Sequence, residues 1–356
     1  MAEYISFQPT DFFTPLLYTG NGTTQAITGV GFTPNLTNIK SRVAWQWVNW
    51  DTMNGAGDNT ELSWNATNPI GGPDAYSYGQ ISVFGADGFT VAKGGSGGTP
   101  QFTNTSGTNY VSYNWKAATS TGVSGGTITP SSYLIDTTAG FGMYKYPGNQ
   151  VSGATIAHGL GKIPKLIIVK RTDSATDWAV YHASRGNTKV FTLNSNADEF
   201  TNSAFWNDTT PTDTLFYLGN GGDVNNSTGS YMAYVYCDIP GYSKMGTYKG
   251  TGNADGQFIY TGFRPAFIIC KRVTPDNDWI VFDNKRNPFN LTNKVLYPST
   301  SGAEDTETTG NGIDIVANGF KCRGTGGMTN STNDFIYMAW AEFPTVSSND
   351  IPGVAR

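Results

Sequence analysis

The sequence is poor in charged residues and in the side chains that most often catalyse reactions. Asp, Glu, Lys and Arg make up 14% of the 356 residues, the net charge is −5, and there are two histidines and three cysteines. A nucleic-acid partner would require clustered Lys and Arg, and no basic stripe is present. Cys237, Cys270 and Cys322 stand singly, without the paired spacing typical of zinc sites or disulfide frameworks. We expect them to be buried as small apolar side chains.

Long apolar runs are also missing. The N-terminus lacks a basic segment followed by an apolar core, and no stretch approaches the length that spans a bilayer. We therefore expect a soluble protein made without a signal peptide. What is abundant is glycine, with 44 residues, together with Thr, Ser, Asn and 13% aromatic residues. This composition predicts strands and turns, hence an all-β protein, and the length predicts two or three domains.

The chain has few residues of the types that most often act in catalysis. His158 and His182 have no counterparts elsewhere in the chain. Most Asp residues stand among Gly, Asn, Thr and Ser, where turn formation explains them. The segment 219–226, GNGGDVNN, is a candidate calcium loop but matches no complete EF-hand. We predict no enzymatic activity, no metal and no cofactor; a carboxylate pair that cleaves surface polysaccharide is the enzymatic alternative.

Three segments of the chain repeat one pattern. Each begins with Tyr-x-Gly, at Tyr18, Tyr146 and Tyr248, and continues through glycines to a proline. A lysine follows six residues after each proline, and the pairs are Pro34 and Lys40, Pro164 and Lys170, and Pro265 and Lys271. The prolines predict strand starts, because the first residue of a strand need not donate to the ladder. We interpret the basic residues that end these strands as solvated, with ion pairs to Asp173 or Asp276 as the alternative.

The repeats predict three tandem antiparallel β-sandwich domains of jelly-roll or lectin-like type. Each closes with an Asn-Ser/Thr turn and an aromatic strand, for example Tyr231-MAYVY. The predicted boundaries are 1–117 for a divergent N-terminal domain that is a candidate anchor, 118–140 for a Gly/Ser/Thr-rich linker, 141–240 and 241–344 for the second and third domains, and 345–356 for a short tail. The connection between the second and third domains is tight, so we expect those two to pack as a unit.

Aromatic residues recur at one framework position. Trp178 and Tyr181 match Trp279 and Phe282, and Arg185 matches Arg286. Core packing explains these recurrent pairs better than sugar stacking does. The first repeat has more aromatic residues than the shared framework requires, which predicts an exposed ligand- or partner-binding surface there. The candidate residues are Trp45, Trp47, Trp50, Trp64, Tyr76 and Tyr78.

The repeated blocks ATIAHGLGKIPKLIIVKRTDSATDWAVYH and QFIYTGFRPAFIICKR, with the opening YISFQPTDFFTP, resemble uncharacterised repeat-domain structural proteins of tailed marine bacteriophages. The resemblance covers most of the chain and is clearest in the second and third repeats. It implies a virion protein, displayed on the particle as a tail fibre, spike or head fibre, that assembles with other virion proteins as a homo-oligomer, with a trimer as the first expectation. No catalytic residue is implied.

Two alternatives to a fibre remain open, a capsid decoration protein and a lectin-like adhesin that binds host glycans. We expect the protein to be assembled in the host cytoplasm and exposed on the virion, with neither nucleic acid nor membrane as a partner. In the fibre interpretation the N-terminal domain attaches to the particle and the C-terminal pair points outward.

Overall fold

The computed structural model describes residues 5–95 and 98–343, so the predicted tail at 345–356 lies outside the described residues. The protein is all-β, and its sheets are antiparallel. Helical structure in the described part is limited to a 3₁₀ turn and three single-turn α-helices, namely Pro9–Asp11, α1 (Ala75–Tyr78), α2 (Ser203–Trp206) and α3 (Gly222–Asn225).

The first repeat forms a main sheet in the order β1-β8-β3-β4-β5 and a small sheet in the order β2-β7-β6. Its strands are β1 (Phe13–Thr19), β2 (Gln25–Thr28), β3 (Leu36–Ser41), β4 (Trp47–Asp51), β5 (Leu62–Ser63), β6 (Gln80–Gly85), β7 (Gly88–Ala92) and β8 (Asn109–Trp115).

The second repeat has a main sheet in the order β15-β14-β13-β12-β17-β10-β9 and a small sheet of β11 and β16. Its strands are β9 (Ser132–Asp136), β10 (Phe141–Pro147), β11 (Ala154–Ala157), β12 (Pro164–Arg171), β13 (Ala179–His182), β14 (Lys189–Thr192), β15 (Phe200–Thr201), β16 (Leu215–Leu218) and β17 (Ser230–Cys237).

The third repeat has a main sheet in the order β18-β26-β20-β21, a small sheet in the order β19-β25-β24, and the pair β22-β23. Its strands are β18 (Ser243–Lys249), β19 (Asp255–Tyr260), β20 (Arg264–Arg272), β21 (Ile280–Asp283), β22 (Lys294–Val295), β23 (Asp305–Thr306), β24 (Ile313–Val316), β25 (Gly319–Arg323) and β26 (Asp334–Phe343).

The central strands of each main sheet are buried on both faces, which explains the long apolar runs in β12 and β20, whereas β3 of the first repeat also buries polar side chains. In β12, Ile167 and Val169 point to a core shared with the small sheet of the same repeat. Leu166 and Ile168 point the other way, into a core that contains residues of all three repeats. Because successive side chains of a strand face opposite sides, one apolar run serves both cores.

The central core places the three repeats around a pseudo-threefold axis. Trp115, Tyr236 and Trp340 occupy the same position in the closing strands β8, β17 and β26, because each pairs with the residue four before the repeat lysine. Their ring centroids lie 6.4, 5.3 and 5.6 Å apart, so the three rings form a closed triangle. The repeats therefore form a ring around one shared core.

Two sequence expectations change at this level. The predicted linker 118–140 contains β9, which pairs with β10 and extends the second main sheet. The first repeat is not set apart from the other two, since the common core joins it to both. The three-domain count stays a prediction, and a shared core argues that the repeats do not fold independently.

Candidate functional site

Neighbouring repeats are joined by tryptophan side chains at equivalent positions. Each indole nitrogen donates a hydrogen bond to a backbone carbonyl at or just beyond the end of a strand in the neighbouring repeat. The bonds are Trp47 Nε1 to Tyr297 O (2.9 Å), Trp178 Nε1 to Ser63 O (2.7 Å) and Trp279 Nε1 to Thr192 O (2.9 Å). The first repeat thus bonds the third, the second bonds the first, and the third bonds the second. This cycle closes the ring.

Main-chain hydrogen bonds repeat the same cycle. In each repeat, the backbone amide seven residues after the carbonyl that accepts the tryptophan bond donates a hydrogen bond to the neighbouring repeat. The acceptor there is the carbonyl of the residue two positions after the repeat lysine. The bonds are Ile70 N to Thr172 O (3.0 Å), Glu199 N to Val273 O (3.3 Å) and Glu304 N to Arg42 O (3.0 Å). Backbone bonds depend on chain geometry rather than side-chain identity, so all three interfaces share them.

Two of the three repeat lysines bond across these interfaces. Lys170 Nζ donates to the carbonyl oxygen of Thr67 in the first repeat at 3.0 Å, and Lys271 Nζ donates to that of Asn196 in the second repeat at 2.8 Å. Burial lowers the pKa of each lysine to about 8. The prediction of solvated lysines is wrong, because these side chains turn inward to satisfy carbonyls at the interface. The predicted ion pair does form at Arg171, whose Nε lies 2.9 Å from Asp173 Oδ1.

The interface between the first and third repeats is different. Lys40 binds carbonyls of its own repeat, at Ser41 and Val43. A charge network takes the place of the lysine contact, and its members are Arg42, Glu304, Arg286, Asp283 and Tyr113. Arg286 Nε lies 2.5 Å from Asp283 Oδ2 and both side chains are fully buried. Burial alone would lower the pKa of Arg286, but Asp283, Tyr113 and Glu304 outweigh it and raise that pKa.

A second cyclic contact has been modified in one repeat. Tyr113 Oη donates to Asp283 at 2.7 Å, and the equivalent Tyr234 Oη donates to Asp51 at 3.1 Å. At the third interface, Met338 stands at the tyrosine position and His182 at the aspartate position. His182 Nε2 lies 3.2 Å from the carbonyl oxygen of Tyr337 instead. Burial is the main cause that lowers the pKa of His182 to about 4. His182 is therefore neutral and holds the interface between the second and third repeats.

The candidate aromatic surface of the first repeat is only partly exposed. Trp47, Trp50 and Trp64 are buried, so the expectation of exposure is wrong for these three. Trp47 stacks on Trp64 with centroids 5.5 Å apart and serves the interface described above. Trp50 lies between the main and small sheets of its repeat. They are framework residues that the loose sequence match in this repeat concealed.

The other three candidates lie nearer the surface. Tyr76 is 47% exposed. Trp45 and Tyr78 are half-buried, their centroids lie 5.4 Å apart, and both contact the buried Phe102. A ligand-binding role for these three residues stays a prediction. Core packing is confirmed for Trp178, Tyr181, Trp279 and Phe282, all of which are buried.

His158 and the three cysteines are buried. His158 accepts a hydrogen bond at Nδ1 from Leu160 N and places Nε2 3.1 Å from the carbonyl of Thr212, and burial lowers its pKa. The three cysteines are free and buried, as expected. In the part of the chain that the structure describes, no group of three or more His, Cys, Asp or Glu side chains is arranged to hold a metal.

One open cleft lies beside the third repeat. It has a volume of about 550 Å³ and is bounded by β18 and β19, with Ser184 of the second repeat at one side. Phe258 and Tyr260 are 46% and 59% exposed at its rim. Lys244 Nζ lies 5.3 Å from the Tyr260 ring centroid and donates to the Tyr260 carbonyl at 3.2 Å. Sequence reasoning missed this cleft, because the residues of β19 do not recur in the other repeats.

The fold and these contacts define an all-β protein in which three related sheets close a ring around one core. The chain belongs to the family described as Domain of unknown function (DUF7483), whose model matches residues 8–344 and thus spans all three repeats. Comparisons with curated proteins and with solved structures found no match. None of the helices within the described ranges is long and apolar enough to cross a membrane.

Proposed function

We propose that this protein is a structural component of a tailed-phage virion, displayed on the particle as a tail fibre, spike or head fibre. The observation that carries the proposal is the closed ring. Both faces of each main sheet are used, one for the central core and one for the small sheet of its own repeat. Such a ring presents its loops, small sheets and strand edges to its surroundings.

The pseudo-threefold arrangement supports the same proposal. Symmetric assemblies place equivalent contacts around an axis. A single chain with three related repeats around one axis offers three related contact surfaces to a threefold partner. This geometry suits attachment at the axis of a trimeric appendage or at a threefold position of a capsid. The homotrimer implied by the resemblance stays a prediction, and light scattering coupled to size exclusion distinguishes one chain of 38.3 kDa from three.

The test is to locate the chain on purified particles. We expect its peptides in the mass spectrum of gradient-purified virions and its density on the outer surface in a particle reconstruction. Density on the tail supports the fibre or spike, and density on the head supports the head fibre or decoration protein. Virions that lack the chain would contradict the proposal. Cross-links from residues 241–344 to the particle would reverse the predicted polarity.

A host-glycan adhesin is the second candidate. It is favoured by the exposure of Tyr76 and by the half-buried pair of Trp45 and Tyr78. Exposed aromatic rings can stack on the apolar faces of sugars. The test is a glycan array with the wild type and with a Trp45→Ser/Tyr76→Ser variant. Binding that the variant loses would support the adhesin. Binding that survives would exclude this surface as the site.

A further inference from the structure

The cleft of the third repeat corresponds to a place that is filled in the second repeat. There, β9 pairs with the outer edge of β10. Just before β9, the amides of Thr127 and Ile128 both donate to the Thr155 carbonyl of β11, at 3.0 and 2.9 Å. Ile128 and Ile135 are buried in the core of that repeat. Residues 126–136 therefore cover the groove between β10 and β11.

In the third repeat the corresponding groove is open. β18 matches β10, because Tyr248 and Tyr146 pair with the first aromatic residue of their closing strands. Among the described residues, β18 and β19 each form the edge of their sheet. Residues 238–239 already accept hydrogen bonds from the outward amides of Ser243 and Met245, so the β18 edge is open from Thr247 to Lys249. The exposed faces reflect this difference, since β11 is buried along its length whereas Phe258 and Tyr260 of β19 are exposed.

We propose that this groove, the β18–β19 groove, binds an extended segment of a partner polypeptide by β-strand addition. An open edge offers unpaired backbone N–H and C=O groups, which a strand from another chain can satisfy. The exposed rings of Phe258 and Tyr260 provide apolar area for the partner's alternate side chains. Gln257 Nε2 is buried without a hydrogen-bond partner in the described structure and offers a donor.

The filled groove of the second repeat indicates the chemistry of the partner segment. Its occupant reads Thr-Ile-Thr-Pro-Ser-Ser-Tyr-Leu-Ile-Asp at residues 127–136. We therefore expect an extended, nearly uncharged segment with Ile, Leu or Tyr between Ser and Thr. The docking edge does not depend on a virion location, because any neighbouring chain with such a segment satisfies it.

The experiment titrates a capped, fluorescent peptide with the sequence of residues 127–136 into the full chain and follows its anisotropy. We expect saturable binding, together with hydrogen-exchange protection at the free end of β18, residues 247–249, and in residues 255–260. Phe258→Ser and Tyr260→Ser should each weaken binding about tenfold, because each removes a ring that the strand covers. Phe289→Ser is the matched control, since Phe289 is 82% exposed in the same repeat but outside the groove.

Several outcomes would overturn the strand-docking proposal. They are no saturation up to about 1 mM peptide, equal binding of a scrambled peptide, and protection confined to residues 141–157, where the peptide would only displace its own parent segment. Saccharide-induced protection of 255–260 without peptide binding would assign the groove to a small ligand instead. Particles that lack this chain would refute the virion proposal and leave peptide binding unaffected, so the two failures are distinguishable.

Discussion

The indole nitrogen of Trp178 donates a hydrogen bond to the backbone carbonyl of Ser63, 2.7 Å away and 115 residues earlier in the chain. Trp178 is fully buried, so this donor would have no access to water if the neighbouring repeat moved away. Equivalent bonds from Trp47 and Trp279 complete a cycle of three. One recurrent tryptophan thus specifies how each repeat is oriented against its neighbour.

Trp178→Phe should destabilise the protein more than the loss of volume alone predicts. The substitution removes the indole donor and leaves the Ser63 carbonyl buried without this partner, which typically costs about 1–3 kcal/mol beyond the packing loss. The measurement is the free energy of unfolding in urea. Trp50→Phe is the control, because Trp50 is equally buried but its Nε1 has no hydrogen-bond partner among the described residues. Equal losses in the two variants would contradict a role for the bond.

His182 should make the interface between the second and third repeats sensitive to acid. Its folded pKa of about 4 lies below the ordinary value of 6.5. The stability that neutral His182 contributes is therefore complete above pH 6.5 and is lost as the pH falls through 4. The difference in unfolding free energy between the wild type and His182→Gln should shrink by up to about 3 kcal/mol from pH 7 to pH 4.

Ser184→Ala is the matched control for His182. Ser184 Oγ lies 2.8 Å from His182 Nδ1, so its removal perturbs the same site without removing the titrating group. This variant should retain the pH dependence of the wild type between pH 7 and pH 4. The carboxylates of the chain are common to all variants and cancel in the differences. If the difference in unfolding free energy between the wild type and His182→Gln were the same at every pH, the pH dependence would not come from His182.

Arg286 and Arg185 match in sequence but should differ strongly in their contributions to stability. Arg286→Met leaves Asp283 buried without its charge partner, which typically costs about 3–5 kcal/mol. Arg185 pairs with Glu199 at 2.8 Å in a partly exposed position, so Arg185→Met should cost about 1 kcal/mol or less. Urea unfolding of both variants measures the contrast. If the two variants lost similar amounts of unfolding free energy, the buried network between the first and third repeats would contribute no more to stability than the partly exposed pair.

The all-β fold follows from the sequence because composition and alternation reflect local backbone preferences. The repeat prolines mark the strand starts to within two residues, because Pro164 begins β12, Pro265 is the second residue of β20 and Pro34 precedes β3 by two residues. The inward direction of Lys170 and Lys271 could not be predicted in this way. A lysine at a strand end is solvated unless another chain segment covers it, and the covering carbonyls of Thr67 and Asn196 come from the neighbouring repeats.

The same limit explains the errors in the candidate aromatic surface. The burial of Trp47 and Trp64 depends on a core built by all three repeats, which the local sequence does not reveal. Trp47 is the counterpart of Trp178 and Trp279, so it belongs to the interface framework and not to an exposed surface. The open β18–β19 groove was missed for the converse reason. The groove exists because no described segment of the third repeat covers it as residues 126–136 cover the groove between β10 and β11. This difference becomes visible only when the folded repeats are compared.

The shared core predicts that the whole ring unfolds in one step. Trp115, Tyr236 and Trp340 contact one another at the centre, so removing any one repeat would expose the central faces of the other two. We expect tryptophan fluorescence and far-ultraviolet circular dichroism to report one coincident urea transition. Hydrogen exchange should show the slowest amides of β8, β17 and β26 opening together. Earlier loss of protection in residues 13–115 alone would instead support a first domain that folds independently, because a common core requires its three sheets to separate at once.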